Sequence, residues 1–249
     1  MSKPTPLKSV LVLGGTSDIG AAVAKKFAHE KFVILLAGRN EEYLKKIAAD
    51  IAIRENADVT AFNFDALDFS SHKDFYRSLP LQPDVCVCVF GYLGDNGLGM
   101  NDWPEAERII DTNYKGAISI LNVVANDFVS LKRGTIVGIS SVAGDRGRQS
   151  NFLYGSAKAG FSTYLSGLRN KLFGSKVHVV TVKPGFVHTR MTEDLDLPVW
   201  LATDPHHVAS VIYKAYVNKT NTVYVLHFWK YIMMIIKSIP EFIFKRMKL

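Results

Sequence analysis

Short runs of β-branched and aliphatic residues alternate with longer segments of helical period, and this alternation restricts the possible folds more than any other feature. The runs are SVLVL, FVILLA, VTAFNF, DVCVCVF, GTIVGI, VHVVTV and TVYVL, starting at positions 9, 32, 59, 84, 134, 177 and 222. Few polar residues interrupt them, so both faces of each strand are expected to be apolar. That is the condition of a parallel sheet covered on both sides by helices. Helices are expected to begin near Ser17, Glu41, Ser70, Pro104, Leu153 and Asp204. The pattern predicts an α/β fold with a doubly wound, parallel, seven-stranded sheet.

With 249 residues, 48% of them hydrophobic, the chain can bury one sizeable core, which argues against disorder. No repeat and no Gly-, Pro- or Ser-rich linker marks a second globular domain. Residues 1–226 are read as one domain and 227–249 as a C-terminal tail. The first apolar run spans about half a dozen residues, short of the ~7–15 of a signal segment. A cytoplasmic protein is expected. Cys86 and Cys88 are one residue apart, so on a strand they share a face and cannot close on each other; they read as core residues in a reducing compartment. The net charge of +7 is uneven. Lys230, Lys237, Lys245, Arg246 and Lys248 against Glu241 place 5 − 1 = +4 of it in the tail, and the mildly basic remainder gives no broad nucleic-acid face.

In LGGTSDIG the first strand runs into glycines and then a helix. Gly14 and Gly15 allow a sharp turn, and Gly20 allows close helix packing. The amide groups of the first helical turn, with about half a positive charge from the dipole, then face a pyrophosphate. Asp18 stands where a carboxylate would repel that group, and is expected in the first helical turn with its side chain turned outward. The second strand ends in LLAGRN with no acid for a ribose 2′-hydroxyl. Arg39 stands there instead and suits a 2′-phosphate, which favours NADP(H), with NAD(H) as the second option. Asp65, after the third strand, can meet an adenine amino group or cap the next helix.

SSVAGDRGRQSNFLYGSAKAG carries the chemistry. Tyr154 and Lys158 are four apart and share a helix face, and Ser141 follows the fifth strand. Reduction of a ketone by hydride transfer needs a proton at the carbonyl oxygen, and a phenol with a pKa near 10 is a poor donor and base at neutral pH. A neighbouring Lys158 ammonium is expected to favour the phenolate, Ser141 to hold the substrate oxygen, and Lys158 also to bond the nicotinamide ribose.

These motifs resemble the short-chain dehydrogenase/reductase family from about Ser9 to Val225, through the glycine turn, Asp65, Asn113 in DTNYKG, Ser141, YGSAK and KPGFVHT. The resemblance implies a Rossmann-type domain and an NAD(P)-dependent oxidoreductase. Tyr154 would be the acid/base, Ser141 the carbonyl anchor, Lys158 the ribose ligand and Asn113 the holder of a relay water. It places the cofactor on Gly14, Thr16, Ser17, Asp18, Ile19, Arg39, Asp65, Ala66, Gly91, Tyr154, Lys158, Pro184, Gly185, Val187 and Thr189, and implies no metal. The family's usual Asn-Asn-Ala-Gly after the fourth strand reads CVFG here and keeps only Gly91. LGGTSDIG and the tail are similar to the reductases of decaprenylphosphoryl keto-ribose and related polyprenyl-linked sugars. Read from the residues alone, Pro184–Gly185 is a turn signal and Asn113 a buried polar residue with a local partner.

In the tail, Phe228, Ile232, Ile235, Ile236, Ile239, Phe242 and Ile243 form a helical stripe, which Pro240 should kink or restart. YIMMII is far short of the ~20 apolar residues of a bilayer span. The stripe can pack on the protein's own body or another subunit, lie in a membrane interface with its basic residues on anionic lipid, or serve as a basic RNA tail. Met191, Leu195, Leu197, Val199 and Trp200, in the loop from Phe186 to Trp200, suit a substrate lid or a core cover. The expected substrate is a small molecule or a lipid-linked keto-sugar. Free hydrophobic ketones, or a non-catalytic nucleotide-binding scaffold, are the alternatives, and a homo-oligomer is expected.

Overall fold

The computed structural model describes residues 7–193 and 199–247. The strands are β1 (Ser9–Leu13), β2 (Val33–Gly38), β3 (Val59–Asn63), β4 (Val85–Cys88), β5 (Thr135–Ile139), β6 (His178–Lys183), β7 (Phe186–Val187), β8 (Ala202–Thr203) and β9 (Thr222–Tyr224). Seven form one parallel sheet in the order β3-β2-β1-β4-β5-β6-β9. The order reverses direction between β1 and β4, so a crevice opens there at the carboxyl ends of the strands.

The helices are α1 (Asp18–His29), α2 (Glu41–Glu55), α3 (His72–Arg77), α4 (Trp103–Ile110), α5 (Gly116–Leu131), α6 (Phe152–Leu172), α7 (Pro205–Val217), α8 (Phe228–Ser238) and α9 (Glu241–Phe244). Alternation along each strand assigns them to two layers. Val10 and Val12 face Val23, Phe27 and Leu44 of α1 and α2 and Val208 and Ile212 of α7. Leu11 and Leu13 face the opposite layer with Ile120, Leu121 and Phe128 of α5 and Phe161 and Leu165 of α6. Each such side chain, taken fully out of water, contributes about 1.5–3 kcal/mol before chain entropy is set against it. Cys86 and Cys88 lie together in the second layer, both buried, without a disulfide.

At three of the expected helix starts, near Ser17, Glu41 and Asp204, a side chain caps the first turn, whereas the helix expected near Ser70 begins at His72 without a side-chain cap. Ser17, Asn40 and Asp204 accept bonds of 3.0 Å from the amides of Gly20, Tyr43 and His207. Three features depart from the sequence expectation. The edge strands β3 and β9 are partly exposed, because each has a neighbour on one side only. β7 and β8 form a separate parallel pair inside the loop read as irregular. Residues Asp111–Lys115, between α4 and α5, form a π-helical turn. Leu195 and Leu197 lie outside the described residues, as does the side chain of Val199.

Pro240 does break the tail, but its buried face is not the expected stripe. Trp229 and Met233 are the residues driven into the body, against Val142, with Ile232 and Ile236 partly covered beside Phe186 and Leu201. Ile235, Phe242 and Ile243 are exposed. Among the described residues no helix is long and apolar enough to cross a membrane.

Candidate active site

Gly14 ends β1 with φ +101°, and a Cβ there would sit 2.6 Å from the Phe90 amide nitrogen. Only glycine lets the chain turn at that point without clash. Ser17 then caps α1 and donates 2.7 Å to the Gly14 carbonyl, fixing the turn. The resulting cleft is lined by Gly14, Thr16, Ser17, Gly38, Arg39, Phe64, Asp65, Ala66, Leu67, Phe90, Gly91 and Thr112. It lies at the carboxyl ends of β1 to β4, across the switch point. Arg39 is exposed and makes no ion pair among the described residues. Asp65 uses one carboxylate oxygen on the Leu67 amide at 3.0 Å, which makes a local turn and leaves the other oxygen without a partner among the described residues.

The chemical cluster is assembled by close packing of the segment after β5 onto α6. Ser141 is extended (φ −165°, ψ 157°), and its Oγ accepts from the Ala143 amide at 3.1 Å. A Cβ on Gly144 would lie 2.7 Å from the Lys158 carbonyl carbon, so this turn rests directly on the α6 backbone. Ser140 Oγ donates to the Lys158 carbonyl at 3.0 Å and meets Ser162 Oγ at 2.7 Å. Asn96 Oδ1 accepts from the amides of Leu153 and Tyr154, both at 3.1 Å, capping α6 from another segment. Tyr154 and Lys158 thus project from one helix face, with Nζ 5.6 Å from the phenol ring centre.

Lys158 is 4% exposed and donates one bond, 3.1 Å to the Ile139 carbonyl. An ammonium has three donors, so two are left for a ligand. A Cβ on Gly91 would be 3.5 Å from Nζ and 3.0 Å from Asn113 Oδ1, which puts both residues at the Gly91 wall of the cleft. These spare buried donors, the glycine-lined cleft and the unpaired Arg39 fit a phosphorylated dinucleotide.

The electrostatics differ from the expectation that Lys158 makes Tyr154 acidic. Burial pushes the Tyr154 phenol up to about 12, and a Ser141 hydrogen bond pulls the other way. Burial likewise lowers Lys158 to about 8. Both groups are held toward their neutral forms, because desolvation outweighs the Ser141 bond at the phenol and the Cys88 sulfur near the amine. The Asn113 side chain is bonded within the protein. It donates to the carbonyls of Tyr92 at 2.6 Å and Ile109 at 2.8 Å and accepts from the Tyr92 amide at 3.2 Å. It closes the π turn and anchors the segment after β4.

Asp18 begins α1 but does not face the cleft. Its carboxylate accepts from the Arg190 amide at 2.8 Å and from Nε at 3.0 Å, while Arg190 Nη2 donates 2.5 Å to the Thr16 carbonyl. This arginine ties the segment after β6 to the glycine turn. Ile19 packs into the core. Pro184 accepts from the Val142 amide at 3.0 Å, which joins the same segment to the one carrying Ser141. Buried Asp145 strengthens the joint by pairing with Lys183 and accepting from the Tyr224 hydroxyl at 2.7 Å. Val187 is buried, its carbonyl accepting from Thr192 Oγ1 at 2.6 Å, and the Thr192 hydroxyl also meets the Thr189 amide at 3.2 Å.

Of the sequence-derived cofactor residues, Gly14, Thr16, Ser17, Arg39, Asp65, Ala66 and Gly91 line the cleft together; Asp18, Ile19, Tyr154, Lys158, Pro184, Gly185, Val187 and Thr189 lie outside its lining. Gly38, Phe64, Leu67, Phe90 and Thr112 were missed, although each stands at or just beyond a strand end or beside a named residue. A larger cleft at the opposite end of the sheet is lined by Lys8, Lys132, Arg133, Lys176 and Lys219. Lys132, Lys176 and Lys219 stand at the ends of helices, where a cation complements the dipole, while Asp84 in the same cleft pairs with Arg133 and His178 meets the Thr220 carbonyl at 3.3 Å.

The family model described as short chain dehydrogenase matches residues 8–199. An uncharacterized oxidoreductase of Mycobacterium tuberculosis is 34% identical over 241 residues, covering 96% of each chain. One of Streptomyces coelicolor is 34% identical over 245 residues, covering 97% of this chain and 96% of its own. A short-chain dehydrogenase from Sphingobium yanoikuyae, solved in complex with NADPH, superposes with TM-score 0.81 at 22% identity, covering 94% of this chain and 97% of its own.

Proposed function

The chain belongs to the short-chain dehydrogenase family, and from that premise we propose that it moves hydride between NADP(H) and a keto or hydroxyl carbon, with Tyr154 exchanging the proton. The observation that carries this is Lys158, a buried ammonium with two spare donors on the helix face of Tyr154, at the Gly91 wall of the nucleotide cleft. Bound there, the nicotinamide supplies or accepts the hydride. Arg39 would take the 2′-phosphate, and the turn after β1 the pyrophosphate. Lys158 would hold the ribose hydroxyls, Ser141 would hold the carbonyl oxygen, and the Tyr154 hydroxyl would protonate it. Residues 184–189 would flank the nicotinamide. The NADPH complex of the Sphingobium protein supports the phosphorylated cofactor.

For the substrate we favour a keto-sugar carried on a polyprenyl phosphate, with the enzyme resting on the cytoplasmic face of a membrane. Leu98, Met100, Trp103 and Phe152, all exposed, belong to the segments packed around the start of α6, beside Tyr154. The tail adds exposed Tyr231, Met234, Ile235 and Phe242 among Lys230, Lys237, Lys245 and Arg246. Aromatic and aliphatic side chains interleaved with cations suit an anionic interface. The same rim suits a free hydrophobic ketone.

Tyr154→Phe tests the first step. Turnover should fall by about 10³-fold or more while NADPH binding, read by nicotinamide fluorescence, persists; unchanged turnover removes Tyr154 from the reaction. Flotation on phosphatidylglycerol vesicles tests the membrane contact. The full chain should float at low salt, and a Met234→Ser/Ile235→Ser/Phe242→Ser variant should not. A full chain that stays at the bottom ends the membrane reading and leaves the free ketone.

A further inference from the structure

The tail packs where the nicotinamide end of the site would lie. Trp229 is 3% exposed, and its indole rests directly on Gly185: a Cβ built there would be 2.0 Å from Nε1 and 2.2 Å from Cε2. The same nitrogen donates to the Leu201 carbonyl at 3.3 Å, and the ring meets Phe186 edge-on at 5.6 Å. One residue of α8 thus touches both ends of the 185–201 segment. One turn later Met233, fully buried, packs in the cluster containing Val142, the residue after Ser141.

The far end of α8 is held by the same segment that carries Ser141. The Arg146 guanidinium donates to the carbonyls of Ile236 at 2.7 Å, Lys237 at 3.1 Å and Ile239 at 2.6 Å, and pairs with Glu241 at 2.9 Å. It also stacks 3.7 Å from the Phe244 ring centre. These bonds satisfy carbonyls that a helix end leaves open, with a cation at the negative end of the dipole. The helix is therefore fixed at both ends to loops of the active site.

We propose that Trp229 is a positioning residue for the reaction. It sets the height of the Pro184–Gly185 turn, and through it the seat of the nicotinamide, so α8 is a working part of the site as well as a surface element. This rests on reading residues 184–189 as the nicotinamide contact. Glycine at position 185 is then explained by what lies over it, since any side chain there would occupy the indole's place. A turn displaced by about 1 Å can cost about 100-fold in rate when it sets the distance between hydride and carbonyl.

Trp229→Ala, Trp229→Phe, Gly185→Ala and Trp229→Ala/Gly185→Ala test this in the full-length chain. Three quantities are read: kcat with phenanthrenequinone and NADPH, affinity for NADPH, and affinity for 2′,5′-ADP, which probes the adenosine half alone. Trp229→Ala and Gly185→Ala should each lower kcat by about 10- to 100-fold and weaken NADPH, leaving 2′,5′-ADP affinity within about twofold. Trp229→Phe should recover most of the loss. The double variant should be faster than Gly185→Ala alone, because the truncated side chain makes room for the new methyl. The inference is overturned if Trp229→Ala lowers only the melting temperature, if both ligands weaken equally, or if Gly185→Ala is indistinguishable from wild type. Should Trp229→Ala fail to fold, Trp229→Phe and Gly185→Ala decide alone. A wild-type chain that binds NADPH but reduces no quinone counts against the proposed reaction, while the ratio of NADPH to 2′,5′-ADP affinities still tests Trp229.

Discussion

Replacing Lys158 with methionine is expected to make the protein more stable and inactive at once. The ammonium is 4% exposed, and burial lowers it from 10.5 to about 8. A displacement of about 2.5 pKa units corresponds to about 3 kcal/mol of destabilisation wherever the amine must be charged. Methionine fills similar space without charge but leaves the Ile139 carbonyl unbonded, which costs about 1 kcal/mol. The net gain is about 2 kcal/mol at pH 7, or about 4–8 °C in melting temperature for a domain of this size.

The pH dependence has a definite sign. Below about pH 8 both the folded and unfolded wild-type chains carry the proton, and the full penalty applies. Between about 8 and 10.5 the unfolded chain holds a proton that the folded one has released, so wild-type stability rises relative to the variant. Melting both proteins without cofactor across this range should show a gap that is widest at pH 7, closes as the penalty is lost, and by about pH 10.5 leaves the wild type ahead by the Ile139 bond, about 1 kcal/mol. Other titrating groups are common to both chains and cancel in the difference. NADPH should raise the wild-type melting temperature more than the variant's. A variant that melts below wild type at pH 7, or a gap that stays flat with pH, would refute a strained, uncompensated charge.

Arg39→Ala should weaken NADPH by about 10- to 100-fold and leave NADH nearly unchanged, since it removes only the charged bond to the 2′-phosphate; titration by fluorescence checks this, and equal losses would exclude the role. Asp18→Ala should change stability by less than about 1 kcal/mol, because the Arg190 pair is half exposed. It should nonetheless weaken NADPH about three- to tenfold by freeing the segment after β6. Tighter binding would mean that the carboxylate repels the phosphates.

The sheet was legible because a strand buried on both faces must be apolar on both, and the seven runs beginning with SVLVL and FVILLA are. The edge strands were misjudged because their sequences do not report a missing neighbour. Tyr154 and Lys158 stood out by spacing, but their electrostatics did not, since burial depends on Gly91, Gly144 and the Ile139 carbonyl meeting in space. Asp18 looked anomalous beside a phosphate site; its partner Arg190 lies 172 positions away. The tail was the hardest part to orient. In FWKYIMMIIKS the expected stripe runs through Phe228, Ile232 and Ile236, and the face that is buried lies beside it, at Trp229 and Met233. The choice fell to the indole that fits over Gly185, a complementarity visible only once both segments are folded. Asn96, which caps α6 from more than fifty residues away, gave no signal in the sequence.

The π-helical turn at Asp111–Lys115 has a consequence for insertions and deletions. It carries one residue more than an α-helix needs over the same rise, and each residue of a helix advances its face by about 100°. Removing one residue between α4 and α5 would allow a smoother, uninterrupted helix. It would also swing Trp103 and Ile109 about a quarter-turn relative to Ile120 and unseat the Asn113 amide from the Ile109 and Tyr92 carbonyls. The regular helix would be locally cheaper and the molecule worse assembled, so the extra residue works as a phase-setting device between the substrate rim and the core.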